Sequence, residues 1–285
     1  MLSCSNYFPI QRERNRFYFP PDRETFINNL LLIHINMNDE LVKNYFIEFQ
    51  QREFPLSRPR DIVIPESKKI RTIIGARRIG KTYTLFNKMK ELIRKGISKE
   101  QILYLNFEHP YLRDIHYQDY KKLFEIYWQI YPETKRLYVF IDEPQVMTNW
   151  EAVVRSIYDE YDFPLYITGS SSKILSSEIA TSLRGRSIKQ TIYPLSFKEF
   201  LAFKNSTLDV KKLTTQDKAV LVNYLKEYLQ YGGYPEVVLE ENISEKLKTL
   251  KEYQELIVYK DIIERYRIKN NNLMMRTITQ LISQT

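Results

Sequence analysis

The chain has 285 residues, of which 43 are Lys or Arg and 35 are Asp or Glu, so its formal net charge is +8. With 43% apolar residues it can bury a core, and its length allows one large domain or two modest ones. Its single cysteine, Cys4, excludes an internal disulfide and a multi-cysteine zinc site, and it fits a reducing, cytoplasmic compartment.

The N-terminal part of the sequence has one clear element. Residues 1–36 combine prolines with an apolar patch that lacks helical periodicity, so they are treated as a separate N-terminal segment. From Asn38 to about Arg52, apolar residues recur at helical spacing, which predicts a helix. Three prolines follow and predict an extended connector.

Between residues 70 and 192, short β-rich runs alternate with longer helical stretches. This alternation predicts an α/β fold with a five-stranded parallel sheet that is covered by helices on both faces. The predicted strands are Ile70–Ile74, Ile102–Phe107, Leu137–Ile141, Leu165–Thr168 and Ser187–Ile192. The predicted helices are Thr82–Lys95, Tyr117–Ile130 and Trp150–Tyr161.

After Pro194 the strand pattern stops, and an all-helical region is predicted. Its helices are Phe197–Phe203, Thr215–Gln230 and Ser244–Arg265, followed by the amphipathic stretch Leu273–Ile282. No apolar run anywhere in the sequence approaches the roughly 20 residues that a membrane span requires. We therefore expect no membrane association.

Residues 75–82 read Gly-Ala-Arg-Arg-Ile-Gly-Lys-Thr and satisfy the P-loop (Walker A) pattern G-x-x-x-x-G-K-[ST]. The glycines let backbone N–H groups curl around a phosphate, and the helix that begins at Lys81 adds its positive N-terminal end. Lys81 is expected to reach the β- and γ-phosphate oxygens, and the Thr82 hydroxyl to ligate Mg²⁺. The predicted nucleotide-binding residues are Gly75, Ala76, Arg77, Arg78, Ile79, Gly80, Lys81, Thr82 and Tyr83.

The second half of the predicted site follows the strand Leu137–Ile141, which ends in Asp142 and Glu143. In P-loop proteins an aspartate here positions Mg²⁺. An adjacent glutamate can polarise a water for attack on the γ-phosphate, which is general-base work. Two solvated acids at a strand end are the alternative for this pair taken alone.

ATP is the predicted nucleotide. Recognition of guanine normally needs an N-K-x-D segment. The Asn-Lys pair of this chain, Asn87-Lys88, is followed by Met89-Lys90, so the segment is missing.

Two short segments supply further candidate catalytic residues. Thr168 and Ser170, at the end of a predicted strand, could hold the attacking water, and a serine-rich helix cap is the alternative. Arg184 and Arg186 could neutralise charge on the transferring phosphoryl group, in cis or across a subunit boundary. An exposed arginine pair is the alternative for these two residues.

Gly232 and Gly233 stand next to each other in a chain with seven glycines, which indicates close backbone packing or a sharp turn. Pro235 could pack on the adenine, and a plain turn between two helices is the alternative. Residues 52–82 hold nine basic and three acidic residues, or +6 of the total +8. A positive field around a triphosphate pocket accounts for this excess, so the charge gives only weak support for a DNA partner.

Taken together, these motifs resemble the AAA+-like ATPases of archaea and bacteria. The matching stretches are Arg60-Asp61, Gly75–Thr82, Phe140–Gln145 with Trp150, Ile167–Ser171, Leu183–Arg186, Pro194–Phe200, Gly232–Glu236 and Tyr259–Ile262. The resemblance implies a P-loop ATPase core over residues 37–200 and a helical lid over 201–268. It makes residues 269–285 the start of a truncated, winged-helix-like region.

The resemblance also implies a function and two nucleotide contacts. Pro235 would contact the nucleotide from the lid. The region around Arg58–Asp61, with Arg60 as its predicted nucleotide-binding residue, would approach the adenine from the other side. The protein would be a Mg-dependent ATP hydrolase that couples hydrolysis to a conformational switch. The alternative is a nucleotide-dependent binding switch with negligible turnover that acts on DNA or a protein partner.

Two further expectations complete the comparison with this family. Self-association or a protein partner is expected beside ATP. Residues 1–36 match nothing in the family, and Met37 stands just before the resemblance begins, so we expect translation to start at Met37.

Overall fold

The computed structural model describes residues 37–58, 60–65, 67–170, 183, 185–206, 208 and 212–283. The chain divides into two compact units, Met1–Glu40 and Leu41–Thr285. The first unit is described only in its last four residues, which begin helix α1 (Met37–Gln51). The N-terminal segment 1–36 and the proposed start at Met37 therefore stay predictions.

A five-stranded sheet organises the second unit. Its strands are β1 (Ile70–Gly75), β2 (Ile102–Asn106), β3 (Tyr138–Asp142), β4 (Leu165–Ser170) and β5 (Ser187–Thr191). They are parallel and lie in the order β2-β3-β4-β1-β5. The predicted α/β fold with a five-stranded parallel sheet is confirmed. Because all strands run the same way, their carboxyl ends meet at one edge of the sheet and their amino ends at the other.

Strand β1, which lies between β4 and β5, is buried along its whole length. The helices between the strands are α2 (Lys81–Arg94), α3 (Pro110–Arg113), α4 (Tyr120–Ile130) and α5 (Trp150–Tyr161). Short 3₁₀ turns lie at Lys99–Gln101, Tyr117–Asp119 and Pro144–Val146. Aromatic rings fill much of the core, such as Phe140 and Tyr166, which stack with centroids 4.6 Å apart.

After β5 the described chain is helical, as predicted. Its helices are α6 (Phe197–Phe203), α7 (Thr215–Tyr231), α8 (Pro235–Leu239), α9 (Ile243–Ile257), α10 (Glu264–Tyr266) and α11 (Asn271–Ser283). A π-helical turn, Val258–Ile263, lies between α9 and α10. The single predicted helix Ser244–Arg265 is thus interrupted, because apolar spacing does not distinguish one wider turn from a regular one.

The adjacent glycines join this helical region to the segment after β5. The backbone N–H of Leu195 donates to the carbonyl of Gly233 at 2.7 Å. A Cβ on Gly233 would lie 2.4 Å from the Leu195 carbonyl oxygen, so a side chain has no room there. Gly232, with φ of 75°, ends α7. Close packing at a turn between two helices is therefore confirmed.

The predicted division into a core, a lid and a C-terminal region stays a prediction. Helix α6 crosses its first boundary at residue 200. Among the described helices, none combines the length and the apolar composition needed to cross a bilayer.

Candidate functional site

The loop between β1 and α2 lies at the carboxyl edge of the sheet. Gly80 caps α2 with φ of 95°, a left-handed conformation that side chains disfavour. A Cβ on Gly75 would lie 2.7 Å from the backbone oxygen of Ile192, beside β5. The two glycines of the pattern are therefore needed, one for its backbone conformation and the other for space.

Lys81 and Thr82, in the first turn of α2, face the end of β3. Lys81 is 6% exposed, and its Nζ lies 3.1 Å from the Ala76 carbonyl oxygen and 3.5 Å from Glu143 Oε1. The Thr82 hydroxyl donates to Asp142 Oδ2 at 2.8 Å. The structure thus brings together the two halves of the site that the sequence predicted separately.

Asp142 is buried, and three hydroxyl groups from three different elements donate to its carboxylate. Besides Thr82, these are Tyr104 of β2 at 2.8 Å and Thr168 of β4. Burial raises the pKa of Asp142, while these hydrogen bonds oppose the shift. Thr168 was predicted to hold the attacking water. In the structure it contacts the site through its hydrogen bond to Asp142.

Sequence reasoning missed Tyr104. Its signal is a phenol in the middle of an apolar strand next to the strand that ends in Asp142. Sequence reasoning also missed Glu108, two residues past the end of β2. Burial raises the pKa of Glu108, and the nearby charge of Glu143 adds to the shift. A second acid therefore stands near Glu143.

Glu143 directly follows β3 in a left-handed conformation with φ of 52°. That conformation is uncommon for a residue with a side chain, and strained residues of this kind cluster at functional sites. One carboxylate oxygen of Glu143 faces Lys81, and the other accepts a hydrogen bond from the Gln145 side-chain amide. The glutamate is thus held in one orientation beside the P-loop.

The donor set fits a magnesium–nucleotide complex. Within the described residues, no group of three or more His, Cys, Asp or Glu side chains could hold a metal ion. Mg²⁺ bound with a nucleotide needs no such cage, because phosphate oxygens and waters fill most of its positions. The Thr82 hydroxyl and the Asp142 carboxylate are hard oxygen ligands of the kind that it prefers.

The chain matches two family models. Residues 67–201 match the model of the AAA domain. Residues 222–285 match the model of a domain of unknown function, DUF8612. The first match includes the P-loop together with Asp142 and Glu143. Residues 67–201 are thus similar to AAA domains, which confirms the resemblance to AAA+-like P-loop ATPases, and we refer to them as the AAA domain.

The uncharacterized protein MJ1544 of Methanocaldococcus jannaschii is 46% identical over 202 residues, which are 71% of this chain and 44% of that protein. An uncharacterized protein of Haemophilus influenzae is 36% identical over 213 residues, 73% of this chain and 50% of that protein. The chain thus spans about half the length of these relatives. A DNA polymerase III gamma subunit-related protein of Thermotoga maritima overlays on 76% of this chain and 87% of its own, at TM-score 0.36 and 14% identity.

Arg60 supports the P-loop of the AAA domain through hydrogen bonds to protein groups. Its guanidinium donates to the carbonyl of Ile79 at 3.0 Å and to the carbonyl of Tyr193 at 2.9 Å. It also pairs with Glu199 at 3.1 Å. Arg60 therefore fixes the P-loop against the segment after β5, and its contact with adenine stays a prediction.

Arg186 does not lie in the AAA domain's P-loop site. It immediately precedes β5, and its carbonyl accepts from the N–H of Ile70, the first residue of β1. Arg186 therefore stands at the amino edge of the sheet, where its side chain pairs with Asp159 at 3.2 Å. A residue before a parallel strand lies at the edge opposite the P-loop, so this position favours action across a subunit boundary over action in cis, and the catalytic role of Arg186 stays a prediction.

The remaining predicted residues lie in or next to the P-loop, at the start of α8, or outside the described part of the chain. Arg78 has φ of 60° and is exposed, and the Tyr83 ring packs edge-on against Phe86. Pro235 is the first residue of α8, and its contact with nucleotide stays a prediction. Arg184 and the side chain of Ser170 lie outside the described residues.

Proposed function

We propose that the AAA domain binds ATP with Mg²⁺ at its P-loop and hydrolyses it. One observation carries the proposal: the hydrogen bond from Thr82 to Asp142 joins the P-loop to the acidic end of β3. A P-loop alone would support phosphate binding. A carboxylate pair against the loop adds the groups that a hydrolysis reaction needs.

The binding roles follow from position. The curled amides of Gly75–Thr82 and the N-terminal end of α2 would surround the β-phosphate. Lys81 would donate to the β- and γ-phosphate oxygens. Thr82 and Asp142 would hold Mg²⁺, whose positive charge would offset charge on the reacting phosphate. Tyr104 and Thr168 would keep the Asp142 carboxylate in place through their hydrogen bonds.

Glu143 would act as the general base and take a proton from the attacking water. In the structure its carboxylate is paired with Lys81 at 3.5 Å. A phosphate that binds the P-loop competes for the same ammonium group, so Lys81 would turn from the glutamate to the ligand. The base would then be released only when nucleotide is present, which would couple binding to a local rearrangement.

Arginine residues would neutralise the charge of the transition state, and the helical region would move. Arg184 remains the candidate transition-state cation, and Arg186 could serve only a neighbouring copy, since it lies at the other edge of its own sheet. Self-association would be needed for that role. The helical region after β5 would move with nucleotide state, because Arg60 ties the P-loop to Glu199 of α6.

Equilibrium titration with ATP in the presence of Mg²⁺ tests the proposal. Lys81→Ala is expected to weaken binding by about 100-fold or more, because the phosphates lose their main cation. Lys226→Ala changes an exposed lysine of α7 and is expected to bind like the wild type. Equal affinities of Lys81→Ala and Lys226→Ala would contradict the proposal. ATP binding without phosphate release would favour a binding switch.

A further inference from the structure

A second cluster of basic side chains lies at the amino edge of the sheet. Lys68 and Arg71 stand before and at the beginning of β1, Lys95 follows α2, and Arg136 precedes β3. Strand β1 separates this edge from the P-loop by about 16 Å, at about 3.3 Å per residue. The basic excess of residues 52–82, which we assigned to a triphosphate pocket, is therefore divided between two opposite edges.

These four cations line a cleft of about 320 Å³, which we call the amino-edge cleft. Asp162 is the one acidic residue among the described residues that line it. Lys68, Lys95 and Arg136 are exposed at its rim. Lys95 pairs with Glu91 at 2.6 Å, with side chains that are 58% and 42% exposed, and ion pairs near the surface are weak. Among the described residues, the lining of the cleft thus holds four basic side chains and one acidic side chain.

Arg71 gives the cleft a fixed, buried cation. It is 5% exposed, and its guanidinium lies 4.8 Å from the centre of the Tyr166 ring. It donates to the backbone carbonyls of Pro65 and Ser67. These contacts hold the side chain in place, so an anion that binds beside it would pay little to order it.

We propose that the amino-edge cleft binds the phosphate group of a nucleotide, either free or within a single strand of nucleic acid. Guanidinium and ammonium groups are the side chains that bind phosphate. The half-buried ring of Tyr138 beside them offers a surface for a base. The volume is at the lower end of ligand pockets, which suits one nucleotide. This site goes beyond ATP hydrolysis and does not depend on it.

The test first weakens nucleotide binding at the P-loop, so that binding at the amino-edge cleft can be measured. In a Lys81→Ala background, binding of a labelled oligothymidylate of about 12 nucleotides is measured by anisotropy at several salt concentrations. Adding Lys68→Glu and Arg136→Glu is expected to weaken binding about tenfold. The slope of log affinity against log salt should fall by about 1.4, since each phosphate contact contributes about 0.7 for a single strand.

The matched control changes net charge equally at a distant place. Lys218→Glu with Lys226→Glu alters two exposed lysines of α7, and we expect less than about a twofold loss. AMP that displaces the labelled strand would support a free nucleotide as the ligand, and persistence of the strand would support a polymer. Equal losses in both double variants, or no binding of either probe, would overturn the proposal.

Discussion

The two edges of the sheet hold their positive charge in different ways. At the carboxyl edge, Lys81 is buried and already paired with Glu143. At the amino edge, cations outnumber acids around an open cleft, and most of them are exposed. A ligand at the carboxyl edge would have to displace an internal partner and so would rearrange the protein. A ligand at the amino edge would meet basic side chains that mostly lie in solvent already.

The largest effect on the rate of phosphate release is expected for Glu143→Gln. The amide keeps the shape of the side chain but cannot accept a proton, so phosphate release should fall about 1,000-fold while ATP binding is retained. Steady-state phosphate release and equilibrium titration measure the two quantities. Glu125→Gln, which makes the same change at an exposed glutamate of α4, should release phosphate at no less than about a third of the wild-type rate. Normal turnover by Glu143→Gln would contradict the assigned base.

A smaller effect is expected for Thr168→Ala. The variant removes one hydroxyl donor from the Asp142 carboxylate, and a hydrogen bond to a charged group contributes about 1.5–3 kcal/mol. Turnover should therefore fall by about tenfold, and Thr168→Ser, which keeps the hydroxyl, should restore most of it. Equal rates for the alanine and serine variants would show that this hydrogen bond does not matter to the reaction.

The burial of Asp142 predicts a dependence of stability on pH. Because burial raises its pKa, the native state holds this proton more tightly than the unfolded state does. Its contribution to wild-type stability therefore falls as pH rises from about 4 through the raised pKa. Asp142→Asn has no such proton, so its free energy of unfolding relative to the wild type should improve over the same range.

Urea unfolding of the nucleotide-free protein between about pH 4 and pH 7 measures that difference. Asp159→Asn, at a half-exposed carboxyl, serves as the control. If the difference in the free energy of unfolding between Asp142→Asn and the wild type stayed constant across this range, the raised pKa of Asp142 would be contradicted.

The smallest effect is expected for Arg186→Ala. Because this arginine stands at the amino edge, its loss should change the turnover of a dilute, dissociated chain by less than about twofold. Phosphate release measured over a range of protein concentrations separates the possibilities. A defect that grows with concentration would support action on a neighbouring copy, and a large defect at every concentration would restore a role in cis.

Local motifs made the carboxyl edge predictable. The P-loop and the Asp142-Glu143 pair are each contiguous in sequence, and parallel strand order brings their edges together. The sequence left open whether Arg186 acts in cis or across a subunit boundary, although its place before a parallel strand already puts it at the edge opposite the P-loop. Tyr104 was missed because the third donor to Asp142 comes from a strand whose neighbour is set by sheet order, which spacing alone does not give.

The amino-edge cleft shows a different limit of sequence reasoning. Lys68, Arg71, Lys95 and Arg136 are spread over 69 positions of the sequence and gather only when the strands align. A count of charge in residues 52–82 found part of the excess but could not say which edge of the sheet it occupies. Topology, rather than composition, decides that question.

The most direct test is a structure of the protein with Mg²⁺ and a non-hydrolysable ATP analogue. We expect Lys81 Nζ to leave Glu143 and to lie against the phosphates of the analogue, with Thr82 and Asp142 beside the metal. A phosphate tail bound elsewhere, or an intact Lys81–Glu143 pair beneath a bound analogue, would contradict it.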